Sequence, residues 1–144
     1  MRFVRRTRLF LRCVFLVLIV RIGLWLVRYQ TLRHWLVRVC ATDPQASRQG
    51  TVIHAMRMVE RVARFVPDAS CLTQSIAGQA LLSWYGIPST ISMGVMKERD
   101  DDLKAHAWLV WNGKVVLQGN TQTPRTYAKI ADLPTPVSGA SAKV

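Results

Sequence analysis

The hydrophobic pattern of this 144-residue chain opens with a long apolar segment that an arginine interrupts. Cys13–Val20 is an unbroken apolar run, Arg21 breaks it, and Ile22–Val27 continues it. An arginine at the centre of a bilayer costs about 2.5–3.5 kcal/mol, and each large aliphatic residue returns about 0.3–0.6 kcal/mol. The flanking residues offset that cost, so a spanning helix is marginal. Three interpretations stay open: an amphipathic docking helix, a membrane-associated helix and a core helix.

Positive charge is concentrated in the same part of the chain. The formal net charge is +12, and residues 1–49 hold ten of the twenty basic residues with one acid, Asp43. Such asymmetry is typical of contact with anionic lipid, nucleic acid or an acidic partner. The arginines lie among aliphatic residues and no nucleic-acid reading motif occurs, so no nucleic-acid partner is expected. We expect residues 1–40 to dock a partner or to make peripheral contact with a membrane.

The rest of the pattern predicts two helices and three strands. A polar stretch from Asp43 to Gly50 predicts a linker, which divides the chain into a basic, apolar helical segment (1–49) and a second domain (50–144). Apolar residues at helical spacing predict a helix from Val52 that Pro67 ends. No clear period follows Asn120. The other predicted elements are a helix over about Cys71–Tyr85, a strand over Ile87–Val95, a charged loop over Lys97–Lys104, and strands over Ala105–Trp111 and Lys114–Gln118 around Asn112-Gly113.

Cys71 and His106 occupy the positions that a cysteine nucleophile site requires. Cys71 stands where the second helix begins, with Ser70 or Asp68 as its cap. His106 stands in the strand before the hairpin turn. A cysteine reacts as the thiolate, which a helix N-terminus and a nearby imidazolium both favour, and an imidazole donates and accepts protons. The pattern therefore predicts Cys71 as nucleophile and His106 as base.

The remaining cysteines and histidines are expected to be structural. Cys13 and Cys40 are interpreted as packing residues, and His34 and His54 as satisfied or exposed side chains. No CxxC motif and no Cys/His cluster with zinc spacing occurs, so the spacing predicts no zinc site. The unpaired cysteine spacing fits a reducing cytosol, so we expect a cytoplasmic protein, with membrane association and partner docking both open to its N-terminal segment.

Several short motifs follow one another in a fixed order over about residues 50–120. They are Val59–Pro67, Cys71-Leu72, Leu81-Leu82, Tyr85–Pro88, Met93–Val95, Ala105–Trp108 and Asn112–Val116. This ordered set, with its spacings, resembles the lasso peptide biosynthesis B2 proteins. These are transglutaminase-like cysteine peptidases that remove the leader from a lasso precursor peptide.

The resemblance implies an α+β fold with a transglutaminase- or papain-like core, in which the helix bearing Cys71 packs on a small antiparallel sheet. It also implies a role in the maturation of a ribosomally made peptide, with the precursor leader as substrate. The implied partners are a separate leader-recognition (RRE or B1) protein and an ATP-dependent lasso cyclase. No cofactor is implied. Family members tend to carry a basic, apolar helical segment before the catalytic domain, as this chain does.

The resemblance also implies a third catalytic residue, usually Asp, on the strand after His106. A two-residue turn at Asn112-Gly113 would place His106 opposite Gly119, whereas a three-residue loop would place it opposite Gln118. The family pattern favours the second register, so Gln118 is the first candidate and Asn120 the second. Both are amides, which orient an imidazole without giving imidazolium a full counter-charge. An acid of the loop Asp100–Asp102 is a further candidate.

Two other classes of function fit parts of the pattern. A basic membrane- or nucleic-acid-associated module would bind in a salt-sensitive way through residues 1–49 and would not need Cys71. A pseudo-enzyme of the same fold would bind a partner without chemistry, because the usual third acid is missing.

Overall fold

The computed structural model describes residues 2–40, 49–97, 103–119 and 127–135, with side chains from residue 7 onward. In this part of the chain, four helices precede a four-stranded sheet, which confirms the predicted α+β class. The elements are α1 (Arg2–Leu26), α2 (Tyr29–Cys40), α3 (Gln49–Ala63), α4 (Cys71–Trp84), β1 (Thr90–Lys97), β2 (Leu103–Trp111), β3 (Lys114–Leu117) and β4 (Ala128–Pro134).

Helix α4 lies at the centre of the molecule and is covered on every side. Every residue from Thr73 to Ser83 is buried, so the helix has no solvent face. It contacts α1, α2 and α3 as well as three strands of the sheet. Gly78 makes the sheet contact close, because a Cβ there would lie 2.8 Å from a methyl carbon of Leu117. A glycine is therefore needed where this helix crosses the sheet.

The N-terminal apolar segment contributes to the same core. Cys13, Leu16, Val17 and Val20 of α1 are buried at helical spacing, and the helix packs against α3 and α4. Gly23 lets α2 approach α1, because a Cβ there would lie 2.5 Å from a methyl carbon of Leu32. The predicted linker lies largely in residues 41–48, outside the described residues. The division into residues 1–49 and 50–144 stays a prediction, although α1 and α2 pack as parts of one core.

A buried arginine fixes α2 to the rest of the fold. Arg33 is 9% exposed, and its Nε donates to Oε1 of Gln79 in α4 at 2.8 Å. Its guanidinium also donates to the backbone carbonyl of Pro134 at the end of β4. The Gln79 amide in turn donates to the carbonyls of Ser89 and Leu133 at 3.1 and 3.0 Å. Burial lowers the pKa of Arg33 from its ordinary value. This network joins one helix from each half of the chain to the last strand.

The sheet is antiparallel with the strand order β3-β2-β1-β4. The sequence did not predict β4, an edge strand whose residues are mostly exposed or half-exposed, so it lacks a clear alternation of buried and exposed positions. Asp132 of β4 accepts a hydrogen bond from Ser92 of β1 at 2.6 Å and pairs with Lys129 at 2.7 Å. These polar contacts and the backbone ladder with β1 hold the strand.

The hairpin between β2 and β3 corrects the predicted register. Asn112 and Gly113 have φ values of 47° and 71°, as a two-residue type I′ turn requires, and Trp111 pairs with Lys114. The three-residue loop that would pair Val110 with Lys114 and His106 with Gln118 is therefore wrong. A bulge then shifts the register, because Val110 pairs with Val115 and Leu109 pairs with Leu117.

We expect Arg33→Ala to lower the free energy of unfolding by about 2–4 kcal/mol, because it leaves a buried amide oxygen and a backbone carbonyl without their donor. Urea unfolding followed by circular dichroism measures the change. Arg38→Ala is the matched control, since Arg38 is an exposed arginine in the last turn of the same helix. Equal losses in the two variants would show that the buried network does not stabilise the fold.

Candidate active site

Cys71 is the first residue of α4, as the sequence predicts. Ser70 caps the helix, because its hydroxyl accepts from the backbone N–H of Thr73 at 3.3 Å. Asp68, the alternative cap, instead pairs with Arg21 of α1 at 3.1 Å. Cys71 is a free, half-buried thiol. The free backbone N–H groups of a first helical turn favour negative charge nearby, which suits a thiolate at this position.

His106 lies in β2 and is 4% exposed, and two aromatic rings that also neighbour each other pack against it. Its ring centroid lies 5.0 Å from that of Tyr127 and 6.1 Å from that of Trp108, and both pairs are stacked. Gly94, the cross-strand partner of His106, makes room for these rings. A Cβ at Gly94 would lie 2.9 Å from the Trp108 ring and 3.0 Å from Cβ of Tyr127. The aromatic rings therefore shield the imidazole from water.

The imidazole of His106 is held by the main chain of Gln118. Burial lowers the pKa of His106 from its ordinary value, and a hydrogen bond with the Gln118 backbone acts in the opposite direction. A bond that raises the pKa of an imidazole is one in which the ring N–H donates to a carbonyl. Nε2 is buried and has no hydrogen-bond partner among the described residues, so we assign this bond to Nδ1. The arrangement leaves Nε2 free to exchange a proton.

The next residue, Gly119, lies against Cys71. A Cβ on Gly119 would lie 3.5 Å from Cβ of Cys71 and 3.7 Å from its Cα. Gly119 has a φ of 69°, a conformation that favours glycine. The dipeptide Gln118-Gly119 therefore lies beside both candidate catalytic residues, with the Gln118 backbone next to His106 and Gly119 next to Cys71. This segment brings together the helix start and the strand that the sequence paired.

The third catalytic position stays a prediction. Gln118 lies beside His106, but the bond that the structure provides comes from its backbone and not from its amide side chain. Asn120 and the loop Asp100–Asp102 lie outside the described residues. Among the described residues, no group of three or more His, Cys, Asp or Glu side chains is placed to hold a metal ion.

The other two cysteines differ from Cys71 in their surroundings. Cys13 is fully buried in α1, and burial raises the pKa of its thiol to about 12. Burial also raises the pKa of Cys40. Both thiols therefore stay protonated at neutral pH and are poor nucleophiles. Their packing fits the structural role that the sequence predicts for them.

The sequence did not identify Gly94 or Tyr127 as neighbours of the site, and it suggested Gly119 only as a residue opposite His106, not as a neighbour of Cys71. Gly94 and Gly119 matter because they have no side chain where neighbouring residues come close. These close approaches depend on the pairing of strands and on the contact with α4, which the sequence does not show. Tyr127 comes just before β4, which the sequence did not predict. Trp108 is a buried residue that also contacts His106.

A comparison with protein families finds a match to the Transglutaminase-like superfamily over residues 14–132, most of the chain. The chain therefore belongs to the Transglutaminase-like superfamily. The match begins within α1, which agrees with the packing of the N-terminal helices into the core. No curated protein matches the chain. No solved structure matches it either. Members of this superfamily are commonly cysteine peptidases and transglutaminases.

The burial of His106 predicts a pH dependence of stability. Its folded-state pKa is lower than the ordinary value of 6.5, so the unfolded chain binds more protons below that pH. We expect the free energy of unfolding to fall as the pH drops from 6.5 through the folded-state pKa. In His106→Gln this contribution should be absent. Urea unfolding at pH 5, 6, 7 and 8 should therefore show that its free energy of unfolding changes less with pH than that of the parent. Parallel profiles would contradict a buried, neutral His106.

Proposed function

We propose that this protein is a cysteine peptidase that removes the leader from a lasso peptide precursor, with Cys71 as nucleophile and His106 as acid and base. The observation that carries the proposal is the position of Gln118-Gly119, which contacts both residues. A shared neighbouring segment gives the pair a fixed mutual position. The ordered motifs over about residues 50–120 support the choice of substrate, and superfamily membership supports the chemistry.

The site supports a two-step hydrolysis. His106 takes the proton of the Cys71 thiol, and the thiolate attacks the carbonyl carbon of the scissile peptide bond. The imidazolium then gives that proton to the leaving amine as the C–N bond breaks, which leaves a thioester on Cys71. Neutral His106 then takes a proton from water, the hydroxide attacks the thioester, and the proton returns to sulfur as the acid is released. The Ser70 hydroxyl occupies the N–H of Thr73, so the N–H groups of Cys71 and Leu72 are the first-turn donors left to stabilise the oxyanion.

The proposal includes three partners. The precursor leader is the substrate, a separate leader-recognition protein delivers it, and a lasso cyclase acts on the released core peptide. The resemblance in the sequence supports all three. The assay therefore mixes the purified protein with a precursor peptide and its leader-recognition protein, and mass spectrometry detects the released leader. Absence of cleavage in this complete mixture would count against the proposed substrate class.

A partner-binding pseudo-enzyme is the second candidate. The observation in its favour is that both strand candidates for the third position, Gln118 and Asn120, are amides. A folded protein that binds the leader-recognition protein but does not react at Cys71 would fit this alternative. The reactivity of the thiol therefore separates the two candidates.

Replacement of Cys71 tests the nucleophile. We expect Cys71→Ala and Cys71→Ser to lower leader cleavage by several orders of magnitude while the protein stays folded, because nucleophile and base act as a unit. Cys40→Ala is the matched control, a half-buried cysteine whose loss should leave the rate within about twofold. Iodoacetamide labelling with mass mapping should modify Cys71 well before Cys13. Full cleavage by the Cys71→Ala protein would end the peptidase proposal.

Two further variants separate the backbone of Gln118 from its side chain. Gln118→Ala keeps the carbonyl that holds His106, so we expect a rate within about threefold of the parent if only the main chain matters. Gly119→Ala puts a side chain at a φ of 69° beside Cys71, and about 1–2 kcal/mol of backbone strain should lower the rate about tenfold. A tenfold to hundredfold lower cleavage rate in Gln118→Ala would instead show that the amide side chain is the third catalytic group, as the sequence predicts.

A further inference from the structure

Helix α1 has a second apolar stripe, on the side away from the core. Five of its members follow one another at intervals of three and four residues, the sixth is adjacent to the last of these, and all six are between 43% and 79% exposed. We call this set the outward face of α1; it consists of Leu11, Phe15, Leu18, Ile22, Trp25 and Leu26. The stripe extends for about 22 Å along the helix, at 1.5 Å per residue. A continuous exposed apolar stripe of this size marks an interaction surface.

The packing of α1 determines in which orientation the helix could contact a membrane. The segment Thr7–Leu26 is long and apolar enough to cross a bilayer, with a mean hydropathy of 2.3. Its inner face, however, is part of the core with α3 and α4. Arg21 is tied to Asp68 and to the carbonyl of Pro67, both at 3.1 Å. If α1 spanned a bilayer, these contacts would be lost. The helix can therefore contact a bilayer only along its outward face.

The charges near the outward face of α1 indicate which kind of partner surface it binds. Residues 1–40 contain nine arginines and no acidic residue. Arg8 and Arg28 are exposed and bracket the outward face at its two ends. An apolar stripe bordered by arginines is the pattern of a helix that lies in the interface of an anionic membrane. A second copy of the chain fits less well, because a two-fold contact through this face would bring the arginines of both copies together.

We infer that the outward face of α1 docks the protein on an anionic phospholipid surface, with the helix parallel to the bilayer plane and Trp25 in the interface. The arginines contact lipid phosphates, and the apolar side chains enter the acyl boundary. This inference is independent of the proposed peptidase activity, since it uses no residue of the candidate active site. It fits the peripheral contact through residues 1–40 that the sequence suggested.

The test uses the full chain and vesicles of two compositions, phosphatidylcholine alone and an equal mixture with phosphatidylglycerol. We expect flotation with the mixed vesicles, weak binding to phosphatidylcholine, and a blue shift of tryptophan emission that Trp25→Phe reduces. The triple variant Phe15→Gln, Ile22→Gln, Trp25→Gln should bind at least tenfold more weakly and keep the parent melting temperature, because all three side chains point away from the core. Arg8→Gln with Arg28→Gln should weaken binding to the mixed vesicles alone.

The matched control is Phe65→Gln with Ile130→Gln, which removes two equally exposed apolar side chains outside α1. This control should bind like the parent. Parent-like binding by the triple variant would overturn the inference, and so would equal binding of the parent to both kinds of vesicle. Light scattering tests the alternative that a second copy of the chain covers this face. A dimer that the triple variant abolishes, together with no vesicle binding by the parent, would show that a second copy covers this face.

Discussion

The complete burial of α4 is the constraint on which the rest of the structure depends. A helix without a solvent face needs neighbours all round it, and a four-stranded sheet covers one side. The remaining sides are covered by α1, α2 and α3. A sheet-and-helix unit that began after residue 50 would therefore expose apolar surface of α4. For this reason α1 and α2, which the sequence suggests as a separate docking segment, belong to the core. Only the outward face of α1 is left for another role.

The same constraint places the candidate site. Cys71 lies at the N-terminus of α4, where the helix reaches the edge of its covering layers, so its side chain is half-buried and not sealed in. The sheet that covers α4 carries His106, and the chain that leaves β3 passes close to both residues as Gln118-Gly119. Packing of one apolar helix thus sets the relative positions of a thiol, an imidazole and the carbonyl that orients the imidazole.

Local chemistry in the sequence was enough to predict much of this arrangement. The cap at Ser70, the helix from Cys71, the turn at Asn112-Gly113 and the strand with His106 all depend on neighbouring residues, and the structure has them. The features that the sequence could not supply depend on distant contacts. The bulge after Val115 is set by how β3 meets α4 and β2, and β4 is held by pairing with β1 and by Ser92. A one-residue shift at the bulge changes which residue faces His106, and no local pattern reports it.

A buried polar atom without a partner does not by itself indicate function. Among the described residues the hydroxyls of Ser83 and Ser89 are in the same state as Nε2 of His106, and neither lies at the candidate site. A hydroxyl is small and rotates, so leaving it unpaired costs little beyond one lost hydrogen bond. An imidazole is different, because one nitrogen bonds to a backbone carbonyl, two aromatic rings pack against the imidazole ring, and the other nitrogen cannot turn to find a donor or acceptor. The fold holds this nitrogen unpaired beside a segment that contacts a cysteine at a helix start. That combination of fixed orientation and a nearby nucleophile, more than burial alone, makes His106 a candidate base and not a misplaced core residue.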